Sequence, residues 1–231
     1  MKEYNFSEGE VLLFDKPYEW TSFDLVNNVR YFIRNKLDYP KLKIGHAGTL
    51  DPLATGLLIL CTGKYTKKID DYQAQEKEYT GTFTIGATTL SFDMEKEVDK
   101  TYDYSHVTEE LINAAANKFT GTFQQTPPIF SAVKIKGKRA YNYARNNEEV
   151  VIKSKEITIC EFEITKINLP EVNFRIVCSK GTYIRALARD FGETLNCGSY
   201  LSALCRTRIG EFKLEDAFEV EAFKKMFQEI L

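Results

Sequence analysis

The residue best placed to do chemistry is Asp51, the single carboxylate in the run GHAGTLDPLATG from Gly45 to Gly56. Gly45, Gly48 and Gly56 permit positive φ and a close approach of backbone to a ligand. Pro52 fixes its own φ and biases Asp51 away from the helical region, so the carboxylate's backbone is extended or turned. An acid presented by so restricted a loop can serve as a nucleophile or as a general base. Asp-Pro is also ordinary turn chemistry, so the meaning of the loop depends on what surrounds it.

Apolar residues flank the loop at Ile44 and at Leu57, Leu58, Ile59 and Leu60, which predicts a strand leading out of it into a core. Upstream, Thr21 or Ser22 caps a helix whose apolar face runs Leu25, Val26, Val29, Phe32, Ile33 and Leu37. A second helix is expected from near Thr108 to near Phe119. From Glu78 to Leu90, Tyr79, Gly81, Phe83 and Ile85 alternate with threonines, the period of a half-buried strand. On that period alone Tyr79 is a strand tyrosine facing the core. Further strands are expected around 157–167 and 172–178. Between Thr182 and Leu195 the set Ile184, Leu187, Ala188, Phe191 and Leu195 returns to helical spacing, with Arg185 and Arg189 on another face. Leu214 to Leu231 reads as a terminal helix. Helices and hairpins interleave without regular βαβ alternation, which argues for an α+β fold with a central mixed, largely antiparallel sheet flanked by helices. Low-complexity tracts, repeats and linker-like stretches are absent from the sequence, so residues 1–231 read as a single domain.

The 231 residues are 43% hydrophobic and 28% charged, the proportions of a soluble protein. No apolar run approaches the roughly 20 residues needed to span a bilayer, and the N-terminus lacks the order of a signal peptide, so a cytoplasmic protein is expected. Cys61, Cys160, Cys178, Cys197 and Cys205 form an odd set with no C-x-x-C pair, which suits reduced thiols serving as core filler. With only His46 and His106 beside them, a metal site is not expected.

The net charge of −2 conceals a segregation. Arg30, Arg34, Lys36, Lys41 and Lys43 face only Asp38. Lys64, Lys67 and Lys68 follow. Lys134, Lys136, Lys138, Arg139 and Arg145 occur with no acid between Gly121 and Asn147, and Lys180, Arg185, Arg189, Arg206 and Arg208 outnumber Asp190 and Glu193. Acids gather from Asp70 to Glu110. Any one such basic segment can be a solvated face, but four of them beside candidate chemical residues could form a positive groove for a nucleic-acid backbone. A phosphate-binding hydrolase, suggested by Gly63-Lys64, fails on spacing, because Tyr65 occupies the position of the required hydroxyl.

Taken whole, GHAGTLDPLATG resembles the GHxGTLDPxAxGxL signature of the TruB family of RNA pseudouridine synthases, and the resemblance continues in order along nearly the whole chain. Lys16-Pro17 with Thr21-Ser22 is similar to the family's KPxGxTS motif, with Glu19 where glycine is usual. Lys77-Glu78-Tyr79 matches K-x-Y. The run from Gly86 through Ser91 to Asp93 matches G-x-x-T-x-T-x-D with one serine for threonine. Gln125 through Lys134 to Arg145 resembles the segment QxPPxxSAxKxxGxxxYxxAR. Cys178 to Gly192 carries GTYIR, followed by Leu204 and Arg206, with Cys205 where some relatives carry arginine.

The resemblance implies the pseudouridine synthase fold and a metal-free, cofactor-free isomerisation of uridine 55 in the TΨC loop of tRNA. It implies Asp51 as the essential carboxylate, paired with Arg185. Tyr79 would stack on the flipped uracil and take the C5 proton, Tyr183 and Leu204 would line the pocket, and His46 would fill the space left by extruded nucleotides. Asp93, Lys16 and Lys134 join the substrate-contacting set. Many relatives carry a C-terminal PUA domain that this sequence lacks, which favours the stand-alone, guide-independent type; a monomer is expected. A non-catalytic module that binds or folds the same tRNA arm stands as the alternative.

Overall fold

A computed structural model of the protein describes residues 4–131, 133–135, 137–140, 143 and 150–228, with the side chains of Lys134, Ile135, Arg139 and Gln228 outside that description. In chain order the elements are β1 (Val11–Lys16), α1 (Ser22–Lys36), β2 (Ile44–Ala47), β3 (Thr55–Thr62), α2 (Ile69–Ala74), β4 (Lys77–Ile85), β5 (Ala87–Thr89), β6 (Val98–Thr101), α3 (Glu109–Lys118), β7 (Gly121–Gln125), β8 (Lys134–Ile135), β9 (Lys138–Arg139), β10 (Lys155–Asn168), β11 (Glu171–Cys178), α4 (Ile184–Thr194), β12 (Ser199–Ile209), β13 (Phe212–Lys213) and α5 (Val220–Gln228). Among the described residues nine strands share one mixed sheet, while β5–β6 and β8–β9 pair separately. This is the α+β architecture expected. Two compact units divide the chain, Met1–Tyr79 with Leu204–Leu231, and Thr80–Ala203.

In the first unit β3 is antiparallel to β1 and β2 and parallel to β12. Its unbroken apolar run follows from burial on both faces. Leu58 and Leu60 join Leu25, Val29 and Ile33 of α1 and Phe223 of α5 in one core. Leu57, Ile59 and Cys61 face the opposite way, toward Ile69, Tyr72 and Phe212. Helix α1 begins where its capping box dictates: the Thr21 hydroxyl accepts from the Asp24 N–H at 3.0 Å, and the Asp24 carboxylate accepts from the Thr21 N–H at 2.9 Å. Glu19, in the position where glycine is usual, has φ +66°, so the turn before this cap is left-handed and carries a side chain.

The terminal segment differs from expectation. Leu214–Asp216 is a 3₁₀ turn and the helix begins only at Val220. Phe218 is drawn into strand-like pairing instead: its N–H donates to Leu13 O at 2.9 Å and its carbonyl accepts from the Asp15 N–H at 3.0 Å. An amphipathic period does not register that competition for backbone hydrogen bonds.

In the second unit β11 pairs with β10 and β10 with β7, both antiparallel. Phe83, Phe162, Phe174 and Phe191 meet at its centre, the Phe83 and Phe174 rings 4.3 Å apart. The strand expected from Glu78 to Leu90 ends at Ile85. Gly86 turns the chain at φ +85°, and a Cβ there would lie 2.4 Å from the Tyr104 ring. Helix α3 is capped by Thr108, whose side chain accepts from Leu111 N–H. Cys61, Cys178 and Cys197 are buried as expected of filler, but Cys160 is exposed.

Candidate active site

Asp51 opens a turn in which its carbonyl accepts from the Ala54 N–H at 3.1 Å, with Pro52 in the second position. Both its neighbours are fastened. The Ser22 hydroxyl, at the start of α1, donates to Leu50 O at 3.0 Å and accepts from Leu50 N–H at 2.8 Å. On the other side the Lys16 ammonium donates to Pro52 O at 3.2 Å, and also to Pro17 O at 2.8 Å and Trp20 O at 2.6 Å. Lys16, expected to contact substrate, is fully buried and spent on these three carbonyls. It joins the β1–α1 connection to the acid's loop.

Arg206 fastens the outer shoulders. Fully buried on β12, it donates from Nε to Leu57 O at 2.8 Å and from its terminal nitrogen to Gly48 O at 3.0 Å. Gly56 explains why so close an approach is possible. It lies opposite Arg206 in the parallel pairing at φ +99°, and a Cβ there would sit 2.4 Å from the Arg206 carbonyl. Its N–H donates to the Asp15 carboxylate at 3.1 Å. The loop is thus gripped at Gly48, Leu50, Pro52, Gly56 and Leu57, with Asp51 at the centre of the grip.

Electrostatics follow from this packing. Burial draws the Lys16 pKa down to about 8, against the opposing pull of Asp51 and Asp15. Burial and the neighbouring Arg206 charge hold the His46 imidazole below its ordinary value. His46, on β2 and half-buried, therefore sits as the neutral ring at neutral pH. Tyr79 is buried on β4, on the inward parity its period predicted, and Leu204 is half-buried on β12.

The second unit places the remaining residues. Arg185, buried in the first turn of α4, lies 3.3 Å from the equally buried Asp93 carboxylate and donates to Phe130 O at 3.1 Å. Asp93, expected among substrate contacts, is thus an ion partner of Arg185. Tyr183 stands at the N-cap of α4. Its N–H donates to the Gln125 side-chain oxygen at 2.9 Å, and its carbonyl accepts from the Gln125 amide at 3.1 Å. The Lys134 side chain, with Lys136 and Arg145, lies outside the described residues.

Two supports were not assigned by reading the sequence. Arg206 and Gln125 were visible only as motif members, and the period of β12 gives no hint of a buried arginine, because Arg206 shares its parity with Tyr200, Ser202 and Arg208.

Arg185→Leu is expected to destabilise the fold by about 3–5 kcal/mol, because it strands the Asp93 carboxylate in the interior. Chemical denaturation of Arg185→Leu and of Arg185→Leu/Asp93→Leu checks this. A double variant no more stable than the single would show that the stranded charge is not the cause.

Residues 34–184 match the family model described as "TruB family pseudouridylate synthase (N terminal domain)". The chain belongs to the TruB family. Among similar TruB-family proteins, tRNA pseudouridine synthase B of Phocaeicola vulgatus is 58% identical over 219 residues, which are 95% of this chain and 93% of that protein. The enzyme of the same name from Flavobacterium johnsoniae is 54% identical over 229 residues, covering 99% of this chain and all of the other, 100%. The fold is likewise that of a chain from a Cbf5-Nop10-Gar1 complex, with TM-score 0.73 and 26% identity over 98% of this chain and 57% of the other.

Within this TruB-family chain, the arrangement suits a reaction needing one carboxylate of fixed aim. The grip on both sides fixes the backbone that presents the aspartate, and a fixed orientation of a reacting group lowers a barrier.

Proposed function

We propose that the protein is a tRNA pseudouridine synthase that converts uridine 55 of the TΨC loop to pseudouridine, with Asp51 as the essential carboxylate acting on an extruded base. The grip that five backbone points exert on the Asp51 loop carries this reading, and the name borne by relatives more than half identical agrees with it. The reaction breaks the bond from ribose C1′ to uracil N1 and forms one from C1′ to C5. N1 gains a proton and C5 loses one, so atoms and electrons balance without an oxidant or reductant. Asp51 attacks C1′ or takes the proton from C2′, and either role requires the ionised form. Arg185 would pair with it, and a guanidinium beside a carboxylate favours that form.

Tyr79 is assigned the uracil face and the C5 proton, Tyr183 and Leu204 the pocket walls, His46 the gap left by extruded nucleotides, and Lys134 a phosphate. The enzyme would work as a monomer in the cytoplasm, recognising the TΨC stem-loop without a guide RNA. The deciding experiment is release of tritium from 5-tritiated uridine in an unmodified tRNA transcript, followed by mapping of the modified base. Release mapped to position 55 is expected. Tight tRNA binding with no release would favour the binding and folding module. Tyr79→Phe should retain stacking and lose turnover by about 100-fold or more. Near-normal release by that variant would remove Tyr79 from the proton transfer.

A further inference from the structure

Helix α1 buries one face in the first unit's core and leaves on the other a set of exposed aromatic and basic residues. Phe23 is 59% exposed and Tyr31 67% exposed, eight residues apart on one side of the helix. Between them Arg30 lies 5.9 Å over the Phe23 ring and donates to the Asn27 side chain. Two large exposed aromatic rings with a guanidinium between them form a platform of planar groups on the helix surface.

The loop after α1 adds charge to this face. Arg34 donates through both Nε, at 3.1 Å, and its terminal nitrogen, at 2.6 Å, to Leu42 O, and so straps the loop to the helix. Lys41 and Lys43, on either side of that strap, are exposed, as is Lys36 at the helix end. The two acids in the stretch are Asp38 and Asp24, and Asp24 is engaged in the cap of Thr21. Both ends of the face run into the candidate site: Ser22, beside Phe23, holds Leu50, and Lys43 leads through Ile44 and Gly45 to His46.

We propose that this face of α1 and the loop 36–43 form an RNA-docking surface beside the Asp51 loop, with Phe23 and Tyr31 stacking on unpaired bases and Arg30, Lys36, Lys41 and Lys43 on adjoining phosphates. The proposal rests on the reading that the substrate is a folded RNA. Aromatic rings and guanidinium planes are sequence-tolerant platforms for bases, and ammonium groups on a strapped loop hold phosphates at little entropic cost. The charge of the face matches a polyanion.

The test is tRNA-transcript binding, by fluorescence anisotropy, to the full-length wild type and to variants. Phe23→Ala/Tyr31→Ala should weaken binding about tenfold or more, and Phe23→Trp/Tyr31→Trp should stay near the wild type. Lys36→Gln/Lys41→Gln/Lys43→Gln should make the slope of log K against log salt shallower by about two. A folded alanine pair that binds within twofold of the wild type overturns the proposal. So does a concentration-dependent dimer that Tyr31→Asp dissolves without loss of tRNA binding, which would assign the face to a second copy of the chain. Tritium release by the wild type separates the two readings. Release with an indifferent face variant rejects only the face, whereas binding that depends on the face without release rejects only the isomerase.

Discussion

Asp51→Asn is expected to cut tritium release by about 10⁴-fold or more while leaving tRNA affinity within a few-fold of the wild type. The asymmetry follows from the geometry. Asn keeps the size of the side chain and leaves the main-chain bonds of the loop intact: Ala54 N–H to the residue's own carbonyl, Ser22 to Leu50 and Lys16 to Pro52. Phosphate contacts, which dominate RNA affinity, are assigned by the proposal to cations and not to this carboxylate. The substitution removes the charge and basicity at the centre of the grip, and the proposed step uses both. Single-turnover assays at saturating enzyme, beside direct binding, separate the two quantities. A fall in affinity as large as the fall in turnover would mean that Asp51 helps hold the RNA and that its chemical role is misassigned.

Arg206→Met should damage both stability and turnover. Methionine fills much of the same volume but donates to neither Leu57 O nor Gly48 O, the carbonyls that Arg206 reaches at 2.8 and 3.0 Å. One buried and one part-buried acceptor left short of a donor cost about 2–3 kcal/mol together. The catalytic cost is separate. With both outer shoulders released, the Asp51 loop can drift, and a displacement on the order of 1 Å lowers turnover by about 100-fold. Arg206→Lys should recover part of the stability and little of the turnover, because one ammonium cannot repeat the spacing of two guanidinium donors. Urea unfolding paired with tritium release below the unfolding midpoint reads both effects. Full turnover by a destabilised but folded Arg206→Met would show that the loop holds its shape without this residue, leaving Arg206 a purely structural part.

The same separation appears in how the sequence relates to the structure. Helix α1 and its cap at Thr21, helix α3 after Thr108, the inward parity of Tyr79, Phe83 and Ile85, and the strand leaving the aspartate loop were all legible, because each is decided by neighbours a few residues away. The end of β4 at Gly86 and the late start of α5 were not, because each depends on a backbone partner distant in the chain, Cys197 and Gly198 in one case and Leu13 in the other.

By itself, then, the sequence determined the acid, the glycines that let its loop pass close to other backbone, the order of the motifs and the elements that carry them. Only the tertiary structure decided how the acid's loop is held, that Lys16 is a buried strut and that Arg206 reaches back 149 residues to close the loop's far shoulder, and, within the second unit, that Asp93 is the ion partner of Arg185. Local propensity and period encode which face of an element is apolar. They carry no record of which buried cation will meet which carbonyl, since that follows from desolvating the charged group and satisfying it with whatever acceptors the fold brings within reach.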